Sequence, residues 1–558
     1  KDANRLDWKG SGSIGMISSK LVLEAPLVKD KLSVLFGGRQ SYTGWILRQL
    51  DNKAVSKSAA RFGDLLLKAT WRLNQKTTLR AFGTVTDDYF RYARDFGYSW
   101  RNLQLGLQGD MLHNQRFSTQ VSAALSRYAG TQFDPGGADA FSLDNGMNLL
   151  KFKLENLLLA GQERHTLRFG AEVNLYETAP ESIRPESNST SILPKTIRRG
   201  GGREGSLFLQ DDWKISARLG LSAGLRWSVF QQIGAETVWQ YDPEQPKEPA
   251  TATGSTDFAD GEIIETWQGA EPRFSGKYSL SEFASVKASW NRLRQYVHLI
   301  SNSAAPAPAD LWLVSSRHLP PQVADQFSLG FYKNARSGRW ETSVEGWFKK
   351  ISNQPEYKDL PELLLNERLE TELLQGNGRS WGAELSVRKA LGKWTGWLSY
   401  TWSQVRVKVA GRFQEETINR GNWYASSFDK PHQLSVIARC QINPRNVFNL
   451  SFTYGSGRPV TAPISYYTVN GITIPNFPER NALRIRDYHR LDLSYTLDNS
   501  QAKLKGWRGS ATFSIYNVYG RKNPFSVYFK TDSKGLAKAY ELSVLGTVMP
   551  ALTYNFVF

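Results

Sequence analysis

The sequence predicts an all-β protein, a transmembrane antiparallel β-barrel of 22 strands with short periplasmic turns and long extracellular loops. Three observations predict it. Segments with an apolar residue at every second position recur along the whole chain. No apolar run reaches the roughly 18–20 residues that a spanning helix needs. Short and long connections alternate. The carboxy-terminal segment shows the first of these plainly, with Leu552, Tyr554, Phe556 and Phe558 on one face and Thr553 and Asn555 on the other.

In chain order, alternation places strands at 5–14, 16–26, 31–42, 60–73, 78–92, 97–112, 115–129, 145–159, 165–177, 204–217 and 219–233. They continue at 266–280, 283–298, 324–335, 340–352, 377–391, 393–408, 431–442, 446–456, 485–498, 506–519 and 541–558. In 219–233, Leu219, Leu221, Ala223, Leu225, Trp227 and Val229 interleave with Gly220, Ser222, Gly224, Arg226 and Ser228. Leu491, Leu493, Tyr495 and Leu497 interleave likewise with Arg490, Asp492, Ser494 and Thr496. An Arg or Asp turned inward is costly in a dry core, but a wet lumen hydrates it.

The connections carry the topology. After even strands they are short, at 27–30, 74–77, 113–114, 160–164, 281–282, 336–339 and 443–445. After most odd strands they are long, at 43–59, 178–203, 234–265, 299–323, 353–376, 409–430 and 457–484. A soluble sandwich has no reason to sort its links by end, whereas an outer-membrane barrel does. An even count puts both chain ends on the periplasmic side. Within the loops, Leu363, Leu369 and Leu373 fall near helical spacing and predict a short amphipathic helix over 360–374. The Pro- and Gly-rich stretch 243–260 reads as a flexible polar excursion.

Composition narrows the function. Cys440 is the only cysteine, so an intrachain disulfide and Cys-based metal sites are excluded. The net charge of +18 is spread over strands and loops and not gathered on one patch, which argues against nucleic acid. Ordinary solvated Lys and Arg account for that charge, and anionic lipopolysaccharide or anionic cargo are the functional alternatives. A mean hydropathy of −0.44 suits a barrel whose lumen and loops are wet. Lys1-Asp2-Ala3-Asn4 carries neither an initiator Met nor an export signal, so a segment upstream is expected.

Several segments now add up to a resemblance. Gly376-Asn377-Gly378-Arg379-Ser380-Trp381-Gly382-Ala383-Glu384-Leu385, Tyr454-Gly455-Ser456-Gly457-Arg458-Pro459-Val460 and Glu479-Arg480-Asn481 are three of them. Asp487-Tyr488-His489-Arg490-Leu491-Asp492, Tyr516-Asn517-Val518-Tyr519-Gly520-Arg521-Lys522-Asn523-Pro524 and Ala305-Pro306-Ala307-Pro308-Ala309-Asp310-Leu311-Trp312 are three more. With the aromatic last strand they resemble, in order, the barrel of TonB-dependent outer-membrane receptors, especially the Bacteroidetes type. The likeness covers nearly all of residues 1–558. It implies a bacterial outer-membrane location and energy-coupled import of a scarce solute such as a siderophore, vitamin, glycan or peptide. It also implies a plug domain, and contact with the TonB complex through that plug. Lys1–Asn4 resembles the tail of the plug's last strand, so the plug is expected upstream or on another chain. A surface lipoprotein or other envelope protein is a further expected partner. Two other readings stay open: a structural subunit of an envelope assembly with its lumen plugged in trans, and a passive pore.

No catalytic trio stands out, and no cofactor motif is present. Gly376-x-Gly378 lacks the Gly-Lys-Ser/Thr and the helix that a phosphate loop requires. The six histidines, at 113, 165, 298, 318, 432 and 489, show no metal-ligand spacing, although His298 and His318 flank one loop beside Arg317. The best ligand candidates are Arg- and aromatic-rich loop roots: Tyr89, Arg91, Tyr92 and Arg94; Trp312, Arg317 and His318; and Arg420, Trp423 and Tyr424. Arginine forks bind carboxylate or phosphate, and aromatic faces pack rings and sugars.

Overall fold

The computed structural model describes residues 2–49, 53–93, 96–136, 139–187, 190–301, 310–470, 472–477, 479–499, 506–531, 537–543 and 546–558. The wall consists of β1 (Lys9–Gly15), β2 (Ser18–Val28), β3 (Leu32–Ser41), β4 (Ala59–Arg72), β5 (Thr77–Tyr92), β6 (Phe96–Asn114), β7 (Phe117–Asp134) and β8 (Phe141–Ala160). It continues with β9 (His165–Pro185), β10 (Gly201–Lys214), β11 (Leu219–Ile233), β12 (Ile263–Ser281), β13 (Ala284–Gln295), β14 (Gln322–Asn334), β15 (Trp340–Tyr357) and β16 (Leu373–Lys389). The last six are β17 (Trp394–Lys408), β18 (His432–Asn443), β19 (Asn446–Gly455), β20 (Tyr488–Asp498), β21 (Arg508–Tyr516) and β22 (Met549–Val557). Each strand pairs antiparallel with its chain neighbours. β22 returns to β1 through Gly12↔Phe556 and Ile14↔Tyr554, so the sheet closes and has no free edge.

Register sorts side chains by face. Across β10 and β11, Leu207↔Trp227 and Leu209↔Leu225 share one side, while Ser206↔Ser228 and Gln210↔Gly224 share the other. Leu207, Leu209, Leu225 and Trp227 are 67%, 56%, 51% and 46% exposed. An apolar band of that extent is unfavourable in water and natural in lipid. No described helix is long and apolar enough to cross a membrane; the strands do the crossing.

The seam depends on missing side chains. A Cβ on Gly12 would lie 2.7 Å from the Lys20 carbonyl oxygen and 2.5 Å from the Phe556 ring, and the carbonyl cannot swing away. Gly12→Val is therefore expected to abolish the fast-migrating folded form in unheated SDS gels. Gly455→Ala, with nothing within 4 Å of the new methyl, keeps that form. Equal migration of the two variants would contradict the seam as described.

Three sequence expectations change. Residues 360–374 form no α-helix; only the 3-10 turn Leu369–Thr371 appears before β16 begins at Leu373. Leu363, Leu369 and Leu373 are spaced for a shared tertiary cluster, which they enter with Ile300, Leu311, Leu313 and Leu319. The 243–260 stretch is an ordered hairpin, Glu236–Tyr241 against Ala252–Phe258. The last wall strand starts at Met549 instead of 541, because Ala537–Ser543 pairs with Pro524–Thr531 as a loop hairpin.

Candidate functional site

The buried hydrophobic clusters gather at the long-loop end, where the loops fold over the lumen. The connection between β13 and β14 turns into the barrel. Its hairpin, Val297–Ile300 with Leu311–Val314, brings Tyr296 and Val314 against Phe230, with Met147, Tyr176 and Trp267 around them. Register places those last four residues on the inward faces of β11, β8, β9 and β12. Phe230 and Tyr296 stack with centroids 4.9 Å apart, and Trp312 meets Tyr128 of the inner wall edge-on at 6.4 Å.

Other loops lock this cap in place. Tyr241 donates to Glu370 at 2.7 Å, and Arg412 Nη2 donates to Glu244 at 2.6 Å. The Arg368 guanidinium lies 3.9 Å over the Trp239 ring and donates to the Pro249 carbonyl. At the centre, Arg480 donates to Asp359 at 2.7 Å and to the Tyr357 carbonyl at 2.7 Å, with Glu356 at 3.4 Å. Asn419 holds the Arg480 backbone from both sides. Tyr424 completes a buried cluster with Leu374, Val407, Val409 and Ile418. The Tyr241–Glu370, Arg412–Glu244, Arg368–Pro249 and Arg480–Asp359 contacts join segments more than a hundred residues apart, so the cap folds as one tertiary unit.

Below the cap, the inner wall carries a ladder of charges. Arg226 of β11 donates to Glu204 at 2.6 Å and lies 3.7 Å from Glu172 and 3.6 Å from Glu271. Lys151 meets Glu172 at 3.0 Å, and Asn174 donates to both Glu172 and Glu204. Ser228 donates to Glu271 at 2.8 Å and shares a 2.8 Å hydrogen bond with Tyr296 of the cap. One tyrosine thus bonds the roof to the ladder. Nearer the short-turn end, Asp2 reaches Lys68 and Arg80 on the inward faces of β4 and β5.

The structure scatters the ligand candidates over several surroundings. Tyr89 stacks on Phe133 under Arg61, on the outward face of β5, and Arg91 shares that face. Tyr92 turns the other way and meets Phe96 at 5.8 Å; Arg94 lies outside the described residues. Trp312, Arg317 and His318 are all in the cap: Arg317 bonds Glu265 and Gln232, and His318 contacts the Trp239 carbonyl at 3.0 Å and the edge of Tyr241. Arg420 is exposed with φ +55°, Trp423 stacks on Arg379 at 4.3 Å, and Tyr424 is buried. Of the Ala305–Trp312 segment, 305–309 lie outside the described residues. Among the described residues no group of three or more His, Cys, Asp or Glu side chains could hold a metal ion.

His298 is a pH-sensitive part of the cap. It is buried, shares a 3.1 Å hydrogen bond with Ser315, and burial pushes its pKa down to about 4. When the cap opens, the imidazole returns toward about 6.5, so the open state takes up a proton first as pH falls. The stabilisation is complete above pH about 6.5 and is lost toward pH 4, on the order of 3 kcal/mol. His318, lowered chiefly by burial, acts in the same direction. Amide protection factors in 296–301 and 310–319, taken relative to the intrinsic exchange rate at each pH, are expected to fall from pH 7.5 to pH 5, and to fall less in His298→Gln. Identical pH dependence in the variant would refute this role.

A family model described as TonB dependent receptor-like, beta-barrel, matches residues 30–518. The chain belongs to that family. Solved structures with the same fold include the ferric-catecholate import receptor Fiu from E. coli K12, at 12% identity and TM-score 0.67, covering 100% of this chain and 82% of that one. The siderophore receptor PiuA from Acinetobacter baumannii gives 12% identity, TM-score 0.67 and the same coverage. The ferric yersiniabactin uptake receptor FyuA from Yersinia pestis gives 11%, 0.66, 100% and 81%. No curated protein matches. As a TonB-dependent receptor barrel the chain sits in the bacterial outer membrane and serves transport, not catalysis. In this receptor the long-loop end is extracellular, so the cap covers the entrance. The sequence reading missed Tyr98 and Tyr128 on the inner wall beneath it. The signal was available for Tyr128, an aromatic residue on a face of β7 that otherwise carries Ser118, Gln120, Ser122, Ser126 and Gln132, whereas Phe96 and Trp100 share the face of Tyr98.

Proposed function

We propose that this receptor imports a scarce solute too large for passive pores, in a TonB-dependent manner, capturing it at the loop cap before passage through the lumen. The observation that carries this reading is the interlocked cap, which is fastened to the inner wall over a lumen lined with paired charges. Such an entrance suits tight capture and gated release, and it disfavours a passive pore. A barrel of this strand number is too wide for side chains to fill. We assign the filling to a plug domain, encoded upstream or on another chain, that would also contact the TonB complex. Energy input is needed because moving from micromolar to nanomolar capture adds about 4 kcal/mol that opposes release.

Siderophores, vitamins, glycans and peptides are the candidate cargo. Fiu, PiuA and FyuA, whose names specify ferric catecholates, siderophores and ferric yersiniabactin, put metal chelates first for testing. A deletion strain grown on defined iron, vitamin and carbon sources is expected to fail on one of them. Removing TonB should reproduce that defect. A large open conductance of the full-length protein in planar bilayers, or uptake that survives loss of TonB, would overturn the proposal.

A further inference from the structure

We propose that the lipid-facing wall over β12–β17 binds one phosphorylated, acylated glycolipid of the outer leaflet, its phosphates on a cation ladder and its acyl chains in a groove below. Three rows of outward side chains make the site. The lowest is small at three of five positions, Leu221–Gly276–Ala288–Leu329–Gly346, each opposite the next in register. Above it runs an aromatic row, Phe274↔Trp290↔Phe327↔Phe348↔Trp381. Phe274 and Trp290 stack with centroids 5.8 Å apart, and Trp290 and Phe327 with centroids 6.2 Å apart. Between small floor and aromatic walls lies an apolar groove of about 890 Å³.

The third row, one outward position nearer the extracellular end, is charged: Arg292↔Asp325↔Lys350↔Arg379↔Arg406. Arg292 is neutralised by a bidentate bond to Asp325, both contacts at 2.9 Å. The other three are consecutive cations, with Lys350 directly opposite Arg379 and Arg379 directly opposite Arg406. Like charges in directly opposed cross-strand positions destabilise a sheet. Among the described residues no carboxylate lies within ion-pair distance of Lys350, Arg379 or Arg406; Arg379 has only the Trp423 ring, 4.3 Å from its guanidinium. An anion lying across the ladder removes that repulsion, and guanidinium forks suit phosphate. The position selects the occupant: cations at the outer edge of the lipid belt, above a groove wide enough for chains, match a lipid with both phosphates and acyl groups.

Native mass spectrometry of the full-length protein in nonionic detergent, titrated with bis-phosphorylated lipid A, tests this. One lipid is expected to bind per barrel, at least tenfold more weakly after dephosphorylation of the lipid or in R379Q/R406Q. R127Q, an outward arginine on β7 away from the ladder, should bind as the unmodified protein does. Equal affinity for both lipids, or for both variants, overturns the proposal. Thermal unfolding separates binding from misfolding. Without lipid, R406Q should unfold at the same or a higher temperature than the unmodified protein, and lipid A should raise the midpoint less in R406Q. A lower midpoint for R406Q in lipid-free detergent would also overturn it.

Discussion

Replacing Arg480 by methionine is expected to release the extracellular cap while leaving the barrel wall folded. The guanidinium is buried between Asp359, the Tyr357 carbonyl and Glu356, and methionine keeps most of the stem without the donors. Glu356, only 15% exposed at its side chain, would then be a buried carboxylate with its cation removed. Breaking a buried pair from one side costs about 3–5 kcal/mol, mostly the uncompensated charge. Asp359 is 74% exposed and adds little. Limited proteolysis should cut 358–372 and 409–431 at least a hundredfold faster, with the folded gel mobility of the barrel unchanged. Glu356→Gln in the same chain should restore part of the resistance, because it removes the stranded charge. If R480M resists protease as the unmodified protein does, Arg480 is not the cap's anchor. Solute capture is expected to fall with cap order, and a variant with a loose cap and normal uptake would separate the two.

Arg226→Ala should produce the other large effect, this time in the wall. It leaves Glu172 on β9, Glu204 on β10 and Glu271 on β12 without their shared cation, and among the described residues only Glu172 keeps an ion pair, with Lys151. The side chains of these glutamates are 5–9% exposed, so water replaces little of what the guanidinium supplied. Because the lumen admits some solvent, a loss near the lower end of about 3–5 kcal/mol is expected. The half-life of the folded form at a fixed denaturing temperature measures it, since barrel unfolding is a kinetic quantity. R226A/E204Q should outlast R226A, which a merely steric role of the arginine would not produce. Equal half-lives for the single and double variants would dismiss the ladder as a unit. The loss should also reach the cap, because Glu271 bonds Ser228 and Ser228 bonds Tyr296.

The wall was legible because alternation is a local property. Each of the 22 wall strands overlaps a segment that the period of two had marked, and 219–233 coincides with Leu219–Ile233 to the residue. The inward Arg226 was legible as well, since a charge on the polar face of a membrane strand needs a wet or paired setting. Its partners were not, because Glu172 and Glu271 are 54 and 45 positions away in the chain and meet Arg226 only through strand order. Loops were read least well. The leucines at 363, 369 and 373 have helix-like spacing, yet they share a cluster with Ile300 and Leu311 and no helix forms. Spacing reports neighbours along the chain and is blind to a second loop arriving from outside.

The chain by itself determined a membrane barrel, its strand count, the end bearing the long loops and the family likeness, since each follows from period, length and order. Only the tertiary structure decided that the loops close the entrance, that Arg480 and Tyr296 hold them there, and that three cations line up on the lipid side. The reason is physical. A strand's two faces are encoded every second residue, whereas a loop's place is chosen by side chains brought together only after the sheet has closed.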